Sequence, residues 1–592
     1  MTMSERSEGE KAPREERELP YPWEQRLGAQ PGPEGTTFRV WAPFAKQVSL
    51  RLGTSEATLA DAGWGVWEGR FDAEAGEDYW FLLQRQGSEL PVRLPDPCSR
   101  HQPGGLRGPS RIFDPSVHRW QDEGFEMAPL ADSVIYELHV GTFTEEGTFR
   151  AACGQLRRLA RLGVSAIELM PVAEGPGNRG WGYDGVYTSA PHHAYGGPEA
   201  LQQLVDAAHS EGIGVILDVV YNHLGAAGVR AMEAFGPYFT DRYQTFWGKA
   251  MNFDGELCDP VREWALQNAE GWVRDYHIDG LRLDAVHAIF DESAKPIVAE
   301  ITQRVHAANG RAIVIAESSS NDPRVIRPVQ AGGLGCDAQW ADDFHHSLHT
   351  LLTGETDGYY ADFGRVSDLA KAYRRPFVYD GRYSAFRKRR VGAPAFDRDA
   401  SQFVVFCENH DQVGNRAFGE RLPRQARPLA AMCLLFSPFV PMLFMGEEYG
   451  EPAPFQYFTD HIDAAIAKAT REGRQREFAA FQSFRRQLPD PQDRRTFAAS
   501  KLTGRRDEIL ADLYAALIVE RRQLTGEAEV IGLSEAERWL WMRRGDCDMI
   551  CNFSSRRQSV ATDRSELVIC TAEATLTDGA VTLPPLSGAL LR

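Results

Sequence analysis

The chain has 592 residues, a formal net charge of −18 at pH 7, and 43% hydrophobic and 25% charged residues. Its length exceeds the roughly 250–300 residues at which one core stops growing, so two or three domains are expected, and the near-average composition excludes wholesale disorder. The acidic balance offers no basic footprint for nucleic acid. The longest apolar stretch, 429–445, is interrupted by Ser437, Pro438 and Pro441 and is too short to span a bilayer.

Residues 1–20 are charged and rich in Pro and Glu, with no apolar run, which predicts a disordered tail rather than a signal peptide. Over 21–112 short alternating runs such as TTFRVWAP, QVSLRL and YWFLLQR, separated by Gly, Pro and Asp, predict a β-sandwich. The nine cysteines, scattered from Cys98 to Cys570, form no CxxC pair and no zinc-like spacing, which predicts free thiols and a cytoplasmic location.

From Ser133 short Val/Ile/Leu-rich runs alternate with helical text: SVIYELHVGTF, AIELMPV, GVILDVVYNH, GLRLDAV, AIVIAES, CDAQWADD, FVVFCENHD and PMLFMGEE. Eight such runs predict an α/β domain over 113–525, a (β/α)8 TIM barrel. Val261, Trp264, Ala265, Trp272 and Tyr276 share one face of an intervening helix, and 429–445 reads as a helix running into a buried strand. The stretch 224–260 is too long for an ordinary βα loop and, with YFTDRYQTFWG inside it, is a candidate substrate wall. After LADLYAALIVERRQL the text returns to short strands, predicting a small C-terminal β-sheet domain over 526–592.

A barrel of this kind places its chemistry at the C-terminal ends of its strands. The polar residues there are Asp218, Asn222 and His223 on the third run, Arg282 and Asp284 on the fourth, Glu317 on the fifth, and Asn409, His410 and Asp411 on the seventh. Retaining cleavage of a glycosidic bond needs two carboxyls roughly 5–5.5 Å apart, and Asp284 and Glu317 end consecutive strands. Arg282, two residues before Asp284, shares its face and suits an ionised nucleophile. Glu317 follows the apolar run AIVIA, which suits a desolvated proton donor. His223 and His410 offer N–H donors to sugar hydroxyls, Asp411 a third carboxyl, and Tyr183 in GWGYDGVY an aromatic platform. A single Asp at a strand end is more often a helix cap or ion-pair partner, but four polar clusters on one barrel mouth resist that reading. The pairs His192–His193 and His345–His346 lack a carboxylate or cysteine at ligand spacing, so no metal is expected, and no cofactor.

DVVYNH (218–223), GLRLDAVHA (280–288), AES (316–318) and ENHD (408–411) resemble, in order and spacing, the four sequence regions of α-amylase-type glycoside hydrolases. The resemblance runs from about residue 22 to the end. It implies Asp284 as nucleophile, Glu317 as general acid/base and Asp411 as transition-state stabiliser, with Tyr183, Asp218, His223, Arg282 and His410 lining the subsite of the attacked sugar. FRVWAPFAKQVSLRL resembles the sandwich that precedes branching, debranching and trehalose-releasing members. YFTDRYQTFWG, QWADDFHH, YDGRYSAFRKRR and MGEEYGEPAPFQYFTDH resemble the trehalose-releasing ones most. This implies trehalose-capped maltooligosaccharides as substrate, trehalose as product, and no obligate protein partner. Branching enzymes, whose first region typically lacks the YNH ending, and debranching enzymes, which usually carry another residue after the third-region Glu, are the alternatives on the same scaffold. A noncatalytic glycan-binding protein is a third, opposed by the complete carboxylate set. Trp247, Tyr359, Phe386 and Arg387 are candidates to hold the leaving disaccharide, since loop aromatics and an arginine fork suit a compact nonreducing sugar; ordinary loop packing explains them equally well.

Overall fold

The computed structural model describes residues 21–479 and 488–592, except 86, 88, 89 and 578; the tail expected over 1–20 lies outside the described residues. At its centre eight parallel strands close into a barrel: β1 (Ile135–Leu138), β2 (Ala166–Leu169), β3 (Gly214–Val219), β4 (Gly280–Leu283), β5 (Ile313–Ala316), β6 (Ala338–Trp340), β7 (Phe403–Phe406) and β8 (Val440–Phe444). β8 pairs in parallel with β1 to complete the ring. Each strand lies within one of the eight runs seen in the sequence, save that β8 starts one residue earlier, at Val440. A parallel strand covered on both faces must be apolar nearly throughout, and every residue of β3 and β8 is buried.

Helices cover the ring. Asp259–Tyr276 starts with Pro260 in its first turn, buries Val261, Trp264, Ala265, Trp272 and Tyr276, and stops where His277 turns left-handed at φ 52°. The stretch 429–445 is the end of helix Arg427–Phe436 followed by β8. The long insertion is built rather than structureless, with a helix at Val229–Phe235 and a hairpin of Phe239–Thr245 and Gly248–Met251.

N-terminal to the barrel, strands Gly28–Gly32, Gly35–Trp41, Val66–Phe71 and Ala60–Gly63 form one sheet, and strands centred on Ala45–Leu52 and Asp78–Arg85 form a second. Their inner faces bury Phe38, Val40, Val48, Leu50, Phe81 and Leu83, and Trp41 meets Tyr238 of the barrel insertion edge-on at 5.6 Å. The apolar core is therefore continuous from sandwich to barrel. C-terminal to helix Glu508–Arg521 stand a five-stranded and a three-stranded antiparallel sheet. Among the described residues no helix is long and apolar enough to cross a membrane.

The barrel interior is not filled only by aliphatic side chains. Glu137 (β1), Glu168 (β2), Asp218 (β3), Arg282 (β4) and Gln339 (β6) are all buried. They form the floor on which the strand-end residues stand.

Candidate active site

Arg282 organises the mouth. Its fully buried guanidinium lies 4.3 Å from the Trp340 ring centroid, which holds its plane, and its Nη1 donates to Asp218 Oδ2 at 2.7 Å and to Asp284 Oδ1 at 3.0 Å. Its Nη2 lies 3.4 Å from Glu317 Oε2, a charge contact rather than a formed hydrogen bond. One guanidinium thus joins the carboxyls that follow β4 and β5. The other oxygen of Asp284 accepts from Asn222 Nδ2 at 2.6 Å. Both oxygens are held and the carboxylate faces a fixed direction.

The next residue, Ala285, has a left-handed backbone at φ 41°, a conformation costly for any residue with a Cβ and typical of functional turns. Its N–H donates to Glu317 Oε2 at 2.6 Å, so the turn that carries Asp284 also orients Glu317. Burial, with Asp284 and Asp411 nearby, pushes Glu317 up to about 8 against the pull of Arg282. Burial likewise lifts Asp218 to about 7 although it accepts from both Arg282 and Tyr183.

Asp411 lies across the mouth, in the first turn of the short helix His410–Gly414 that Asn409 caps through Gln412 N–H. It accepts from Asn415 Nδ2 at 2.9 Å and lies 3.5 Å from His410 Nε2. His410 is pulled down by burial, but Asp411 and Glu137 more than offset this and raise it to about 9. Raised to that level it carries a proton on both ring nitrogens at neutral pH: Nδ1 donates to Glu137 Oε1 at 2.5 Å, Nε2 donates to Tyr183 Oη at 2.8 Å, and the Tyr183 hydroxyl in turn donates a hydrogen bond to Asp218 Oδ2 at 2.6 Å. The Tyr183 ring stacks on His410, with centroids 5.2 Å apart.

His223 differs from the expectation of a free donor. Its Nδ1 bonds Asn222 Oδ1 and its Nε2 the carbonyl of Tyr183 at 3.1 Å, so both ring nitrogens are engaged by the protein. Trp247, at the tip of the insertion hairpin, stacks on it at 5.3 Å while staying 45% exposed. The other three outer residues gather near the segment that follows Glu317. Arg387 Nη1 donates to the carbonyl of Ser319, two residues after Glu317, at 2.7 Å; Phe386 is half-exposed beside it and meets Tyr359 edge-on at 6.4 Å.

The sequence reading missed Glu137, which holds His410 through both its ring and its backbone N–H, and Trp340 under Arg282. It also missed Asp342, just past β6, whose charge acts on Glu317. The available signal was a charged residue inside an apolar strand, in YEL and again at Glu168 in IEL. Among the described residues neither Glu168 oxygen has a hydrogen-bond partner, and burial followed by Glu137 pushes the carboxyl well above the usual range. Burial therefore favours its neutral form, and Glu168→Gln, a neutral group of the same shape, should fold with a Tm within about 3 °C of wild type at pH 7. A carboxyl kept neutral by the fold costs stability as pH rises above its unfolded value of about 4.3, so the variant should gain on wild type as pH climbs from there through neutral. Thermal melts across that range check this; a variant that loses stability as pH rises would mean an ionised, paired Glu168.

The histidine pairs have partners that the sequence did not show. Glu174, from a different strand, brings a carboxylate to His192 and His193, their donor atoms all within 4.8 Å. Yet His193 faces acceptors on both sides, Glu174 Oε2 and Asn178 Oδ1, each at 2.9 Å. His192 Nδ1 accepts from Ala194 N–H at 3.1 Å, which leaves the proton on Nε2. With those lone pairs committed, the set fits a hydrogen-bond network and not a cation cradle. His345 is similarly used, bonding Cys407 O at 2.6 Å and Tyr360 Oη at 2.9 Å.

A family model of the alpha amylase catalytic domain matches residues 139–256. The chain is 44% identical over 530 residues to the malto-oligosyltrehalose trehalohydrolase of Saccharolobus solfataricus, covering 88% of this chain and 91% of the relative. A crystal structure from Salmonella typhimurium, described as a candidate alpha amylase, superposes with a TM-score of 0.87 at 34% identity, covering 95% of this chain and 99% of that one. The 1,4-alpha-glucan branching enzyme of Leifsonia xyli is more distant, 28% identical over 71% of this chain and 60% of its own length.

Proposed function

The chain belongs to the malto-oligosyltrehalose trehalohydrolase family, a group of glycoside hydrolases with the α-amylase barrel, and from this we propose that it cleaves the α-1,4 bond next to the terminal α,α-trehalose of a trehalose-capped maltooligosaccharide. The observation that carries the chemistry is the single guanidinium contacting both Asp284 and Glu317. In this reading Asp284 attacks the anomeric carbon as Glu317 protonates the departing trehalose oxygen, so the C–O bond breaks with no free alkoxide. Glu317, now a carboxylate, takes a proton from water, whose oxygen attacks the same carbon and releases Asp284; two inversions retain the α configuration. The His410–Tyr183–Asp218 chain and Asp411 hold the sugar ring as positive charge develops on it.

We assign the leaving trehalose to the side lined by Trp247, Tyr359, Phe386 and Arg387. Trp247→Ala should reduce the ratio of kcat/KM for capped over plain maltopentaose by about tenfold, the value of one lost aromatic contact; an unchanged ratio would remove Trp247 from the specificity site. Incubation with capped maltopentaose, plain maltopentaose and amylose tests the reaction itself. Free trehalose from the capped substrate supports it, and a new α-1,6 linkage from amylose would replace it with branching. The reading includes a division into domains at 21–112, 113–525 and 526–592. It also includes a cytoplasmic location, supported by nine free cysteines: even Cys433 and Cys551, 3.8 Å apart at sulfur, are unbonded.

A further inference from the structure

The turn joining strands Ala60–Gly63 and Val66–Phe71 of the N-terminal sandwich contains three consecutive left-handed residues, Gly63 at φ 89°, Trp64 at 55° and Gly65 at 79°. The flanking glycines suit that backbone; a bulky residue between them does not. The indole gains little burial in exchange, being 68% exposed. A strained position that presents a large apolar ring to solvent serves something other than folding.

Trp64 is not isolated. Tyr21 stacks on Trp23 at 4.7 Å with planes 2° apart, and Trp64 stands edge-on to both, at 5.5 and 5.7 Å. Trp23 is buried and anchors the group, while Tyr21 is 39% exposed. Tyr21 and Trp23 also line a groove of about 440 Å³ against the barrel helices Asp259–Tyr276 and Ile297–Ala308, its other walls including Asp259, Glu263, Gln303 and Arg304. A second hollow of about 400 Å³ shares Glu263 and Arg304 and extends the groove to Gln267. Arg304 pairs with Glu263 at 2.9 Å and with Glu270 at 3.2 Å, and the acidic and basic residues lining the two hollows are equal in number, five of each. They present fixed donors and acceptors without a net field that would select a polyanion or a polycation.

Exposed aromatic rings beside a groove of charge-balanced hydrogen-bonding groups match a pyranose chain, which offers apolar C–H faces and neutral hydroxyls at its edges. We propose that Tyr21, Trp64 and the adjoining groove form a noncatalytic binding site for linear α-glucan. It lies on the sandwich turn and the outer helices, whereas the catalytic candidates stand on the strand ends. The proposed function enters only in the choice of an α-glucan as probe.

Affinity electrophoresis of the full chain in gels containing soluble amylose tests this, with Trp64→Ala and Trp64→Phe beside wild type. The wild type should be retarded by amylose, Trp64→Ala should bind about tenfold more weakly, and Trp64→Phe should recover most of the retardation. Hydrolysis of trehalose-capped maltotriose should stay within about twofold in both variants, because the turn touches no residue of the mouth. Wild-type mobility unaffected by amylose, or equal retardation of wild type and Trp64→Ala, overturns the site. So does a Trp64→Ala variant that loses short-substrate hydrolysis along with amylose binding, since the residue would then act through the fold. Retardation needs no turnover, so this result and the catalytic assignment fail independently.

Discussion

Asp284→Asn should lower kcat on trehalose-capped maltopentaose by about 10³-fold or more, roughly 4 kcal/mol of transition-state stabilisation, while leaving Tm nearly unchanged. The amide has the shape of the carboxyl but cannot form the glycosyl ester. The interactions with Arg282 and Asn222 are also the ones that hold Asp284 in place, so the kinetic loss must be separated from misplacement. KM provides that separation: a residue acting only on the reacting carbon changes kcat and leaves KM close to wild type, whereas a collapsed subsite raises KM. Steady-state kinetics on purified, folded variant decides it, and near-normal kcat would falsify the nucleophile assignment.

The second large effect concerns Glu317. As the proposed proton donor it would work in its protonated form, and burial raises it to about 8. A raised carboxyl is protonated below that value and ionised above it, so kcat/KM should hold through neutral pH and fall tenfold per unit as pH climbs beyond about 8. Glu317→Gln should lose about 10²–10⁴-fold in rate on the trehalose-leaving substrate and lose this alkaline limb as well. A substrate with a good leaving group, such as an α-glucosyl fluoride, needs no protonation at the leaving atom and should recover much of the first step. Full pH–rate profiles of wild type and variant check both statements. A wild-type alkaline limb that persists in the variant would assign the titration to another group, with His410, raised to about 9, the first to consider.

Most of the framework was legible in the sequence for a physical reason. Strands buried on both faces read as unbroken apolar runs, and a polar residue that ends such a run stands out; Asp218, Asp284 and Glu317 are examples. Arg282 was legible because alternation along a strand fixes its face relative to Asp284. What stayed hidden depends on contacts between distant segments. Glu137 meets His410 across 273 residues of chain, and no local period encodes that pairing. His223 reads as a free donor until its neighbour Asn222 and the Tyr183 carbonyl take both its nitrogens. The Glu174 carboxylate reaches His193 only because the chain folds back through the short pairing of Ala173–Glu174 with Tyr187–Pro191. Trp64 carries no sequence signal at all, since its turn could be filled by glycine; only its backbone angle and exposure single it out.

These charged contacts also fix an order of importance among the candidates. Asp284 and Glu317 share the guanidinium of Arg282, which is itself fully buried and partnered by Asp218, so Arg282 is the residue whose loss would disturb both carboxyls at once. The outer aromatics, in the proposed assignment, act on which sugar is held and not on how its bond is broken.

The anomeric form of the newly made maltooligosaccharide, followed by proton NMR in the first minutes after adding enzyme to trehalose-capped maltopentaose, tests the central claim most directly. Free trehalose appearing together with the α-anomer, which then relaxes to the α/β mixture, is the predicted result. Initial release of the β-anomer would contradict it, because a single inversion needs no covalent bond to Asp284 and a wider gap between the two carboxyls.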